Sequence, residues 1–96
     1  MIIGILNLDF HINGSHSLKE KRKFLRQLKD KYGHITNIAV CECDFQDSWQ
    51  RGGLAFVCTS TDKAVVESTL SKIKSYCQLS GDAQLVNDQI EWIYSE

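Results

Sequence analysis

The apolar residues of this 96-residue chain switch repeatedly between a spacing of two and a spacing near 3.6, and the order of those switches leaves few folds open. From 2 to 12, Gly4, Leu6, Leu8, Phe10 and Ile12 alternate with Asn7, Asp9 and His11, which share their side with Ile3 and Ile5. That is a half-buried strand. Residues 17–33 then take helical spacing. Residues 35–44 and 51–60 read as two further strands, rich in β-branched and small apolar residues, with a polar connection from Phe45 to Gln50. In the first of these, Ile38, Val40 and Glu42 share one side, with Ala39, Cys41 and Cys43 on the other. In the second, Leu54, Phe56 and Cys58 oppose Ala55, Val57 and Thr59.

Ser60, Thr61 and Asp62 offer caps for a second helix, running to about Leu79, whose apolar side carries Val65, Val66, Thr69, Leu70, Ile73, Tyr76 and Cys77, with Gly81 closing it. The last strand, from about Ala83 to Tyr94, is expected to place Gln84, Val86, Asp88, Ile90, Trp92 and Tyr94 on one face. The order is βαββαβ. Two right-handed crossovers around a hairpin give a single α+β domain, a ferredoxin-like sandwich with a four-stranded antiparallel sheet and both helices on one face. The other face of the sheet is left open.

The first helix is marked at both ends. Ser17 with Glu20 forms a capping box, and Gly33 stands where a left-handed residue ends a helix, with Lys29 and Lys31 beside the negative end of the dipole. At 100° per residue, Leu18, Phe24, Leu25, Leu28 and Tyr32 fall on one arc, and Lys19, Arg22, Lys23, Arg26 and Lys29 on the adjoining one, with Asp30 among them. Lys21 breaks the pattern by falling in the apolar arc. Either its stem snorkels out to water from an overhanging first turn, or its ammonium pairs with a carboxylate beneath the helix or meets a ligand there.

Charge is polarised along the chain. Residues 17–34 carry seven basic and two acidic side chains, net +5; the remainder carries four basic and ten acidic, net −6, giving −1 overall. Such a surface can steer an anionic partner although the whole molecule is not basic. The opening MIIGILNLDFHI lacks a basic start and is interrupted by Asp9 and His11, so no signal peptide is read there. No apolar run approaches the length needed to span a membrane. The four cysteines are accordingly read as reduced thiols of a cytoplasmic protein.

The βαββαβ topology places the loop before the first helix and the hairpin between the middle strands at the same end of the sheet. The first helical turn, Ser17 to Arg22, and the hairpin, Asp44 to Arg51, are therefore expected side by side. Here the residues resemble a known group. Ser17-Leu18-Lys19-Glu20-Lys21-Arg22, Glu42, Gln46-Asp47, Trp49-Gln50-Arg51, Ser60 and Asp62 resemble the YlxP-like family of small uncharacterised bacterial proteins, over essentially the whole chain. The resemblance implies a ferredoxin-like fold, a cytoplasmic setting and no established activity. Such proteins are often encoded beside translation and ribosome-maturation factors, which implies association with RNA or the ribosome by context. Gly52-Gly53 departs from the family pattern, in which a small residue and an acidic one are common there.

The shared end would gather Lys19, Lys21, Arg22 and Arg51 with Asp47, Trp49 and Gln50; Lys23 and Arg26 would carry the phosphate-binding stripe along the helix, and Glu42 is expected to approach Lys21. Free amides, cations, an aromatic ring and forked donors suit phosphate and an unstacked base. The plainer reading is an end-cap, with Arg51 bridging Asp47, Trp49 covering the hairpin and Lys21 paired with Glu42. An RNA-recognition-motif reading of Ile3–Leu8 and Arg51–Val57 fails, because Gly4 and Leu54 stand where outward rings are needed. Cys41 and Cys43, two positions apart and so on the same strand side, lack a second spaced pair for zinc and read as buried small residues. No nucleophile motif, phosphate-cradling glycine loop or catalytic carboxylate pair is present, and no cofactor or metal is expected. Two functions follow. One is a non-enzymatic module binding RNA or a ribosomal particle through the basic helix and hairpin. The other is a protein-interaction module, a homodimer formed through the open sheet face or an edge strand.

Overall fold

A computed structural model of the chain describes residues 1–12, 18–45, 48, 50–79 and 83–95, with the backbone only of Leu18. The elements follow the expected order: β1 (Ile2–Ile12), α1 (Leu18–Tyr32), β2 (Ile38–Glu42), β3 (Arg51–Ser60), α2 (Lys63–Gln78) and β4 (Ala83–Tyr94). The strands form one sheet in the order β2-β3-β1-β4, antiparallel at every pairing. This is the ferredoxin-like arrangement. The two crossovers carry both helices to one face because each must return its chain to a parallel strand two places away.

The core lies between that face and the helices. Leu6, Leu8, Phe10 and Ile12 of β1 meet Leu54, Phe56 and Cys58 of β3, and are roofed by Phe24, Leu25, Leu28 and Tyr32 of α1 and Val66, Leu70, Ile73 and Cys77 of α2. Each fully buried aliphatic or aromatic side chain here contributes about 1.5–3 kcal/mol relative to its exposed state. Phe10 and Phe24 pack edge to face at 5.5 Å, as do Tyr32 and Phe56 at 5.7 Å. Gly4 faces this side too. A Cβ there would come within 2.7 Å of Val66 and Leu70, so α2 lies directly on the β1 backbone.

Local sequence explains the ends that are described. Asp62 caps α2, its carboxylate accepting from the Ala64 amide at 2.9 Å, while the Ser60 hydroxyl accepts from the Asp62 amide. Ser17 and Gly81 lie outside the described residues. Gly33 does not take the left-handed conformation expected of it. It continues the helical bonding, its amide donating to the Lys29 carbonyl at 2.7 Å, and a Cβ would stand 2.5 Å from that same oxygen. The need for glycine is therefore steric closeness to the last turn.

Three further expectations change. The second strand is shorter than 35–44, because the chain turns through Ile35, whose carbonyl accepts from the Ile38 amide. In α2, Val65 and Tyr76 lie at the rim of the apolar face and are exposed. In β4, the face does not run unbroken. The pairing shifts between Asp9 and Phe10, which oppose Asn87 and Leu85. This bulge adds one residue to β4 and reverses its alternation. Ala83 and Leu85 turn toward the helices before it, and Asp88, Ile90, Trp92 and Tyr94 after it. Gln84 pairs with His11 on the open face. The Asp88 carboxylate, 2.8 Å from Lys74 of α2, fixes the phase beyond the bulge.

Candidate nucleic-acid interface

The start of α1 and the β2–β3 hairpin meet at one end of the sheet. The Ile12 amide donates to the Gln50 carbonyl at 2.8 Å, closing the hairpin onto the end of β1. Lys21 makes the second link. It is 2 % exposed, and its ammonium donates to the backbone carbonyls of Phe45 and of Ser48, the latter at 2.7 Å. Its stem runs over Gly52, where a Cβ would stand 3.6 Å from Lys21 Cε. The snorkelling alternative is not realised: the ammonium is enclosed, and its described partners are main-chain carbonyls where a carboxylate or a ligand was expected. The Lys21–Glu42 ion pair is not formed: Glu42 pairs with Lys29 at 3.7 Å, and Lys21 goes to the hairpin backbone. A charge this deeply enclosed requires acceptors, and main-chain carbonyls at a tight bend supply them.

The bend is sharp because Asp44 and Phe45 both have positive φ, 59° and 55°. Asp tolerates that region; Phe rarely visits it. The conformation turns the Phe45 carbonyl toward Lys21, where it also accepts from the Ser48 amide at 3.0 Å. It carries the Phe45 ring to the Arg51 guanidinium, whose Cζ lies 4.4 Å from the ring centroid. The Ser48 hydroxyl accepts from the amides of Gln50 and Arg51, at 3.3 and 3.1 Å. Arg51 Nε is buried without a hydrogen-bond partner among the described residues. Sequence reasoning passed over Phe45 and Ser48 as members of a polar connection. The signal for them was indirect: a lysine in an apolar arc needs acceptors nearby.

The remaining expected site residues divide into three groups. Lys19, Arg22, Lys23 and Arg26 are exposed along α1, and among the described residues no carboxylate engages them. With Glu20 they line a shallow open depression on the helix surface; a smaller one is bounded by Arg22, Leu25, Arg26, Lys29 and Glu42. Gln50 is exposed beside the hairpin and Arg51 half-buried. Asp47 and Trp49 lie outside the described residues, so the proposed roles of Trp49 as ring platform and Asp47 as partner to Arg51 rest on their place in the sequence.

The thiols are arranged otherwise than expected. Cys58 and Cys77 are buried, but Cys41 is exposed and Cys43 half-exposed, because their side of β2 is the open face of the sheet. No group of three or more His, Cys, Asp or Glu gathers among the described residues. Burial pushes the Cys77 thiol up to about 12. Partial burial and then the negative charge of Asp44 raise Cys43. A raised thiol carries less reactive thiolate at a given pH. At pH 8, iodoacetamide should therefore label native Cys41 first and Cys43 more slowly. Cys58 and Cys77 should be labelled only after denaturation, an order that peptide mass spectrometry checks directly.

Residues 3–90 match the family described as protein of unknown function, DUF503. The chain belongs to that family. It is 24 % identical over 91 residues to the uncharacterized protein YlxP of Bacillus subtilis strain 168, covering 95 % of this chain and 99 % of that one. The YlxP-like resemblance is therefore confirmed. Among solved structures, the structural-genomics protein YJCS superposes with a TM-score of 0.62 at 12 % identity, over 93 % of this chain and 96 % of the other. SnoaB, described as a cofactor-independent oxygenase from Streptomyces nogalater, superposes with a TM-score of 0.51 at 10 % identity, over 99 % of this chain and 93 % of the other. At such identities the two superpositions establish the shared fold alone. Among the described residues no helix is long and apolar enough to cross a membrane.

Proposed function

We propose that this family member is a non-enzymatic binding module that grips the phosphate backbone of RNA, free or in a ribosomal particle, through the exposed face of α1. The observation that carries this is the run Lys19, Arg22, Lys23 and Arg26: four exposed cations, none neutralised by a described carboxylate. They lie within about two turns, or about 10 Å of helix, a length suited to successive phosphates on one strand. Lys21 leaves the contact set, since it braces the hairpin, and Lys29, farther along the stripe, is paired with Glu42. The hairpin beside the stripe would supply base-stacking and donor groups from Trp49, Gln50 and Arg51.

The reading has a direct test in fluorescence anisotropy with a labelled single-stranded RNA and the matching duplex. Affinity should fall steeply with salt. Replacing Arg22 and Arg26 by Gln should flatten the logarithmic slope by roughly one for each cation removed. Both side chains are exposed, so the melting curve should be unchanged. Absence of binding at low salt to either RNA, or a slope indifferent to these substitutions, would overturn the proposal.

A further inference from the structure

The exposed strand β4 is the other conspicuous surface. It lies at the edge of the sheet and is paired only with β1. Its second half exposes apolar side chains on both sides: Ile90 is 45 % exposed and Tyr94 61 % on the helix side, and Ile93 47 % on the open side, next to Gln89 and Glu91. The direction of its free hydrogen-bonding groups follows from the ladder. Met1 and Ser95 exchange both backbone bonds across the end of the β1–β4 pair. In an antiparallel ladder bonded and non-bonded pairs alternate. Gln89, Glu91 and Ile93 therefore bond to β1, and the amides and carbonyls of Asp88, Ile90, Trp92 and Tyr94 point out of the sheet.

We infer that this edge pairs with β4 of a second copy about a two-fold axis at Ile90, joining two sheets into one of eight strands. A two-fold pairing must set the outward groups of even-numbered residues against each other, and charge then selects among registers. Centring on Glu91 places Glu91 opposite itself, and like charges directly opposed are unfavourable. Centring on Trp92 brings together the two Lys63 ammoniums, each 5.0 Å from the centroid of its own Trp92 ring. Centring on Gln89 faces the charged Asp88 with the apolar Ile90. Centring on Ile90 opposes Ile90 to itself, Gln89 to Glu91, and Asp88 to Trp92 of the partner subunit, so that Asp88, already 2.8 Å from Lys74, gains a second cation in the Lys63 over that ring. The bulge at Val86 ends the regular edge on one side and so limits the overlap. This interface lies on the far side of the sheet from α1's neighbour β2, and leaves the basic stripe uncovered.

Sedimentation velocity over a hundredfold range of concentration tests it. The native chain should reach twice its monomer mass. Ile90→Lys should return the single-chain mass with an unchanged circular dichroism spectrum, since it adds charge to an exposed edge. In a Cys41→Ser, Cys43→Ser background, Ile90→Cys should form one intermolecular disulfide on mild oxidation. Mass spectrometry should then find the two introduced thiols joined to each other. A single-chain mass at every concentration overturns the inference. So does a dimer that survives Ile90→Lys but is lost with Ile5→Lys on the open face, and so does a dimer of the Ile90→Cys variant whose introduced thiols do not join.

Discussion

Lys21→Met should lower stability by about 2 kcal/mol, because the main-chain acceptors that Lys21 serves lose a charged donor while the apolar stem is kept. For a domain of this size the thermal midpoint should fall by roughly 10 °C. The reason is the location of the ammonium, 2 % exposed and held by the Phe45 and Ser48 carbonyls. The Phe45 carbonyl retains the Ser48 amide, but the Ser48 carbonyl has no other described donor. Lys23→Met, on the exposed side of the same helix, is the matched control and should shift stability by less than about 0.5 kcal/mol. The pair also separates two roles. Lys23→Met should leave the melt unchanged and weaken RNA binding. Lys21→Met should lower the melt and leave duplex RNA binding unchanged at temperatures where the chain is folded. A Lys21→Met melt superimposable on the native one would remove Lys21 as the brace.

Gly53→Ala should be the most damaging alanine substitution among the described glycines, costing about 3 kcal/mol, the upper part of the range for overfilled sites. The added Cβ would stand 2.2 Å from the Cys43 carbonyl oxygen. Cys43 directly follows β2 and is tied to β3 by its amide, which donates to the Gly53 carbonyl at 2.9 Å. A flexible side chain could swing away; a backbone carbonyl one residue before two positive-φ positions cannot move without dragging them. Relief would therefore displace Asp44 and Phe45 and lift the Phe45 ring from Arg51. Two measurements check this together: a thermal melt, and a faster alkylation of Cys43 as its surroundings open. A melt within about 2 °C of the native protein would show, at roughly 4–8 °C per kcal/mol, that the strands have room there.

Much of the candidate site was legible beforehand, and the reasons differ by residue. The cationic stripe is a local property: helical periodicity alone decides that Lys19, Arg22, Lys23 and Arg26 share a side. The adjacency of helix start and hairpin is topological, and the contacts of Lys21 with Phe45 and Ser48 bear it out. The described partners of Lys21 were not legible, because they are main-chain carbonyls, which every sequence possesses and none advertises. Phe45 was hidden for a related reason: a positive φ at a phenylalanine makes the bend and leaves no mark in the residue type.

The chain's own letters determined the order of its elements, the inward side of both helices and of β1 and β3, and the segregation of charge, since all of these depend on spacing between near neighbours. Only the assembled sheet decided the reversed face of β4, the exposure of Cys41 and Cys43, and which edge is left open. A bulge, a register and a covered or uncovered face are relations between strands distant in sequence. Their energies come from partners that no window along the chain contains.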